Sequence, residues 1–252
     1  MSFNLKKKTI LFGGTLLILL IVLLAIYGKQ AYTLLFVHYN FRDKMAFLNL
    51  QPEERDINLV NLKIGYEYNM FGCKLNLPFN NEPKMIETEI SKQIYVPDEF
   101  LFSIIKPNFD YLEHIHNIKI GNEFKNLADF NKAFSTDFNN GFDFVQASFY
   151  ARPSIEYLFK SKDEADLLLY KVATKWSHIK MGKISLKILS FKTDHFRGFQ
   201  IGDPQNGEVV VLWLYPDSGA EYEIHLASKN GFLKQEHIDG VLSSIIFEDN
   251  AK

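Results

Sequence analysis

The chain has 252 residues, with 28 Lys+Arg against 30 Asp+Glu and a formal charge of −2. That balance offers no clustered basic face and argues against nucleic-acid binding. Hydrophobic residues make up 47%, with 23 Phe and 12 Tyr, which excludes a disordered chain, and a single cysteine excludes an intramolecular disulfide framework.

The first element is an apolar run without formal charge from Ile10 to Tyr27. As a helix it covers roughly 27 Å, against a bilayer hydrocarbon core of about 30 Å. Lipid leaves backbone groups no outside partner, so a single span must be helical. The exit lacks a small-x-small site, and the run exceeds the usual apolar stretch of a cleaved signal peptide. We therefore expect a retained transmembrane anchor. Lys6, Lys7 and Lys8 precede the run, which puts the N-terminus in the cytoplasm and the remaining chain outside it. No Asn-x-Ser/Thr acceptor occurs, so the expected setting is a bacterial inner (cytoplasmic) membrane, single-pass, with the C-terminal domain in the periplasm or outside.

After the anchor, Leu34, Leu35, Phe36, Val37, Phe41, Met45, Phe47 and Leu48 suit the apolar face of a juxtamembrane helix. "QPEERDINLV" reads as a linker. The expected plan is a tail over 1–9, an anchor over 10–27, a juxtamembrane helix and linker over 28–56, and an α+β domain over 57–252. In that domain "KIGYEYNMFGCKLNLPF" reads as one or two strands turning at Asn69 to Gly72, with Cys73 a small buried hydrophobe. "ETEISKQIYVP" and "EFLFSIIKP" read as short strands ended by prolines.

The middle is helical. Leu127, Phe130, Phe134 and Phe138 recur at spacings of three and four, with Asn139-Asn140-Gly141 closing that helix. Pro153 is expected to open a second helix through Phe159. Ser161-Lys162-Asp163-Glu164 is a capping-box pattern opening a third, which runs to about His178. "KISLKILSF", "FRGFQIGD", "EVVVLWLYP" and "AEYEIHLAS" are four strands joined by short turns, so they are antiparallel neighbours. "LKQEHIDGVLSSI" is a last helix and "IIFE" a short strand. The fold class is α+β: an N-terminal transmembrane helix followed by an antiparallel sheet packed with helices, an α/β/α sandwich.

"NMFGCKLNLPF" near the start of the body, with the four-strand meander, "KQEHIDGVL" and "SSIIFED" at its end, resembles Mog1/PsbP-like domains. The resemblance covers the two ends of the body only. It implies an α/β/α sandwich with a binding or accessory role, and no site residues carry over.

Candidate chemistry is sparse. His114 and His116 share one strand face and could begin a metal site, but no third ligand is marked by spacing. Asp194-His195 reads as turn decoration. His225 is read as a satisfied sheet histidine, on the face of Tyr222 and apart from Glu223. There is no nucleophile elbow and no Gly-rich phosphate loop. The expected function is a non-enzymatic, membrane-anchored envelope protein that binds another envelope protein as an accessory or assembly factor, without a cofactor. Its contact surface is expected among exposed sheet aromatics or in "GFDFVQASFYARPSIEYLF", with Phe142, Phe144, Phe149, Tyr150, Tyr157 and Phe159 as candidates. The alternatives are a small-ligand or lipid-binding module with an aromatic pocket, and a metal-dependent hydrolase using His114 and His116.

Overall fold

The computed structural model describes residues 2–58, 66–78, 83–88, 91–96, 100–105, 127–181, 187–217, 220–228 and 233–248. It is a mixed α+β structure with a long apolar N-terminal helix and a large, mostly antiparallel sheet. Helix α1 runs unbroken over Ser2–Phe41. Among the described residues it is the one helix long and apolar enough to cross a membrane; its apolar window has a mean hydropathy of 1.8 and is only 11% buried. A core helix of that composition would be mostly buried. Leu17 to Leu24 are instead exposed on every side of the helix.

The second half of α1 behaves differently. Gln30, Thr33 and Val37 are buried. After a short 3-10 turn the chain forms α2, Met45–Leu48. Val37 and Leu48 pack with Leu168, Leu169 and Val172 of α5 (Lys162–Met181), and Leu34, Phe41, Met45 and Trp176 pack around them. Lys29 is ion-paired to Asp166, and the Gln30 amide donates to the Lys160 carbonyl at 2.9 Å. The stretch expected as a juxtamembrane helix is helical, and it is sewn to the body rather than standing off from it.

The residues expected as a linker are also pinned. Strand β1 (Glu53–Glu54) runs parallel to β7 (Ile188–Lys192) at one end of the sheet. Next along are β8 (Phe196–Ile201), β9 (Val210–Pro216) and β10 (Tyr222–Ser228), the expected meander. Beyond β10 lie β6 (Phe100–Ile105), β5 (Ser91–Val96) and β4 (Lys84–Glu87), all antiparallel, with β4 at the far edge. Gly198 in β8 has a local reason: a Cβ there would sit 2.5 Å from the Trp213 carbonyl oxygen and 2.7 Å from the Phe191 ring.

A second sheet has the order β11 (Ile246–Phe247), β3 (Cys73–Leu77), β2 (Tyr66–Met70). Its hairpin turns at Phe71 and Gly72, both at positive φ (56° and 77°), the signature of a two-residue type I′ turn. Glycine accepts that backbone freely and Phe71 does not. The Phe71 carbonyl accepts from the Tyr222 hydroxyl at 3.1 Å, which ties the turn to the large sheet. Cys73 is buried, as expected, and burial pushes its thiol up to about 12.

Alternation along the strands splits the core. Val210, Leu212, Leu214, Tyr222, Ile224 and Leu226 face the small sheet and helix α6 (Gln235–Ser244). Val211, Trp213, Tyr215, Phe199 and Ile201 face Phe142, Val145 and Phe149 of α4 (Gly141–Tyr150) and Ile179 of α5. Helix α3 (Leu127–Phe134) stops earlier than the spacing suggested, and Asn140 does not close it. Asn140 instead caps α4, accepting from the Asp143 amide at 3.1 Å. The capping box at α5 is formed as read: Glu164 N–H donates to Ser161 Oγ at 3.1 Å and Ser161 N–H to Glu164 at 2.9 Å. Where a helix was expected after Pro153 there is a 3-10 segment, Ile155–Phe159.

Candidate functional site

The candidate surface of "GFDFVQASFYARPSIEYLF" divides in two. Phe142, Phe144 and Phe149 are core: Phe142 stacks on Phe199 at 4.9 Å, Phe144 meets Phe130 at 5.0 Å, and Phe149 lies 4.8 Å from Phe199. These three are corrected from contact surface to interior. Phe142 and Phe149, seven residues apart, share the helix face toward the sheet, while Phe144 lies on the opposite side against α3. Tyr157 is half-buried against the α1–α5 contact, Tyr150 is exposed, and Phe159 is 76% exposed. His114 and His116 lie outside the described residues, and among the described residues no group of three or more His, Cys, Asp or Glu is placed to hold a metal ion.

The most distinctive arrangement is on the α4/α5 side of the sheet, where those helices stop covering it. Strand register builds it in rows. One row runs Phe199, Trp213, Glu223, Ile105, Ser91. The next runs Val211, His225, Ser103, Gln93, Ile86. A third runs Ala227, Leu101, Tyr95, Lys84. Toward β8 these rows are under helix, and His178 of α5 lies 4.3 Å from the Trp213 ring. Toward β4 they open: Tyr95 and Leu101 are exposed, and Ile86 is 51% exposed. Every residue of β4 is exposed, and its outer edge pairs with no strand among those described.

Glu223 and His225 stand where covered sheet meets open sheet. His225 Nε2 and Glu223 Oε1 are 2.5 Å apart. The expectation that His225 shares a face with Tyr222 is thereby corrected: a strand's period of two puts 223 and 225 together, and Tyr222 on the other side with Ile224's neighbours in the core. Just before β10, Glu221 is 4% exposed. Burial pushes its carboxyl well above the ordinary carboxylate value; the nearby Tyr215 hydroxyl opposes this, and the Glu223 charge adds to it.

The raised Glu221 has a pH consequence. Below the unfolded value, about 4.3, both states hold the proton and the group is neutral toward stability. As pH rises from there through the higher folded value, the unfolded state binds fewer protons and stability falls. Glu221→Gln is therefore expected to match the parent in Tm near pH 4 and to exceed it at pH 8. The gain expected for removing one buried carboxylate charge is about 2 kcal/mol, or roughly 4–8 °C. Equal Tm differences at both pH values would show that Glu221 does not titrate differently on folding.

Two hollows lie elsewhere on the body. One, of about 510 Å³, lies at the β1 end of the sheet and is lined by both signs of charge, including Glu54, Asp56, Lys192 and Arg197. Arg197 is engaged there, 3.4 Å from Asp143 and over the Phe142 ring. The other, of about 460 Å³, is an apolar groove between α1 and the 3-10 segment, lined by Leu34, Leu35, Val37, Pro153, Ile155 and Leu158 among others.

Sequence reasoning missed β4 and the open rows. "KMIE" is short and follows a proline, and a single exposed strand has no periodic signal of its own. The Glu223/His225 pairing was readable from strand alternation alone. No family model, curated protein or solved structure matches the chain.

Proposed function

We propose that this is a single-pass, membrane-anchored protein of the bacterial envelope, non-enzymatic, whose extracytoplasmic α+β domain binds another envelope protein as an accessory or assembly factor. The N-terminal tail is cytoplasmic, on the strength of Lys6, Lys7 and Lys8. The resemblance of the body's ends to Mog1/PsbP-like domains, with helices and a small sheet on either side of the large one, points the same way.

One observation carries the binding reading: the open wing of the sheet, where Ile86, Tyr95 and Leu101 are exposed beside an edge strand that has no outer neighbour among the described residues. An extended partner segment added to β4 would gain main-chain hydrogen bonds, and the exposed side chains would select it. Soluble domains usually blunt such an edge. Lys84 and Glu87 at the ends of β4 do so only partly, since Met85 and Ile86 between them are exposed.

The test is photo-crosslinking from position 95 in membranes that hold the full-length protein. We expect one reproducible envelope partner. Ile86→Asp combined with Leu101→Asp is expected to weaken capture about tenfold or more while leaving the Tm of the domain in place, as removal of interface anchors does. Capture that is indifferent to those substitutions would move the contact elsewhere and sink the proposed surface.

A further inference from the structure

The exposed apolar tip at the base of the body is the starting point. The 3-10 segment Ile155–Phe159 lies alongside α1, with Tyr157 turned inward against the α1–α5 contact. Ile155 and Phe159, 71% and 76% exposed, turn outward. A folded domain gains nothing from displaying these side chains to water: each forgoes about 1.5–3 kcal/mol of burial.

Their position explains them. The Phe159 ring meets the Tyr27 ring edge-on, with centroids 6.1 Å apart. Tyr27 ends the uncharged run that began at Ile10. If that run fills the hydrocarbon core, Tyr27 stands at its outer boundary, the level at which interfacial aromatics collect. A side chain in ring contact with Tyr27 stands within about 6 Å of that level. From Tyr27 to Leu35, which lines the groove with Ile155, α1 climbs about 12 Å. The headgroup layer is only about 5–8 Å deep per leaflet, so Ile155 stands above it, and Phe159 is the residue of the two that reaches the bilayer.

The flanking residues fit the same layer. Lys160 and Lys162 follow Phe159 and Arg152 precedes the segment, all exposed. Their cationic heads reach the phosphate layer while apolar tips enter below it. The pose is held rigidly, by Gln30 donating to the Lys160 carbonyl and by the Lys29–Asp166 pair one residue away on α1.

We propose that the Phe159 end of the Ile155–Phe159 segment is a second membrane contact: Phe159 inserts at the acyl–headgroup boundary of the leaflet that α1 exits, so the body rests on the bilayer in one fixed orientation. The open wing is then presented at a set height to a partner in the same membrane. This rests on the reading of α1 as a membrane span.

The test uses the full-length chain in phosphatidylcholine–phosphatidylglycerol vesicles, with Cys73→Ala as background so that a nitroxide attaches only where wanted. Labels are placed by Leu20→Cys in the apolar run, Phe159→Cys at the tip, and Glu236→Cys on α6 across the sheet from α1. Collision with oxygen, which partitions into lipid, is compared with collision with a water-soluble nickel chelate. We expect the label at 20 to be oxygen-accessible and the label at 236 nickel-accessible. The label at 159 should side with 20, colliding with nickel several-fold less than 236 does. A label at 159 as open to nickel as 236, with 20 still in lipid, overturns the inference and spares the anchor. A label at 159 shielded from both probes indicates a protein occupant and overturns it as well. A label at 20 in contact with nickel overturns the membrane span itself.

Discussion

Lys175→Met is expected to destabilise the folded chain by about 3–5 kcal/mol, lowering Tm by roughly 10 °C. Lys175 belongs to α5 and is wholly buried. Its ammonium donates to the carbonyls of Leu48 (2.5 Å), Leu50 (2.5 Å) and Phe149 (2.7 Å). Those are the C-terminal ends of α2 and α4 and the residue that leads into β1. Three donors meet three acceptors, which satisfies orphan carbonyls that helix ends leave behind. Burial, and secondarily the Arg152 charge, pushes the amine down to about 8, so the cation still prevails at pH 7. Methionine fills similar volume but leaves three acceptors dry. Arginine is not expected to rescue, because a planar fork cannot aim at three carbonyls converging on a point. Thermal unfolding of the purified full-length protein in detergent reads the effect. A loss under about 1 kcal/mol would mean that the tie is redundant with the apolar packing around it.

Asp239→Ala is expected to be comparable, about 3–5 kcal/mol, since it strands a buried arginine. Asp239 of α6 is 1% exposed. Its carboxylate accepts from Arg55 at 2.5 Å, from Gln235 at 3.0 Å and from the Asn58 amide at 3.3 Å. Arg55 also donates to Gln200 Oε1 at 3.0 Å and lies over the Phe191 ring. The network joins the segment after β1 to β8 and α6, three parts far apart in sequence. Removing both charges with Arg55→Met and Asp239→Leu should recover much of the loss, because no charge is then left unpaired. A double-mutant cycle on Tm measures this. A double variant no better than Asp239→Leu alone would show that the pair orders the chain in a way apolar packing cannot replace.

Both predictions concern residues whose importance was invisible in one dimension. "QPEERDINLV" has the composition of a linker, with Pro52 and a charge cluster. Its capture by β7 and Asp239 is a long-range event with no local signature. The same holds for Lys175: its place in the C-terminal half of a helix suggests no more than a complement to the dipole, whereas its Nζ reaches into a site built by two other helices. Phe142, Phe144 and Phe149 were ambiguous for the converse reason. Their spacing is irregular, and whether such aromatics are core or contact depends on what lies opposite. Phe159, from the same stretch, lies opposite Tyr27 and remained outside.

What the sequence by itself determined is local. The apolar run sets a helix, since 3.6-residue geometry needs no partner to satisfy its backbone. Ser161 and Glu164 set the start of α5, and alternation set the four-strand meander, because capping and strand period act between residues a few positions apart. Tertiary structure alone decided that α1 continues into the body, that β4, β5 and β6 extend the meander into an open wing, and that Glu223 and His225 stand at its border. Those outcomes depend on strand order and on which helix covers which row, and both are settled by contacts between residues more than a hundred positions apart, such as Lys29 with Asp166 and Arg55 with Asp239.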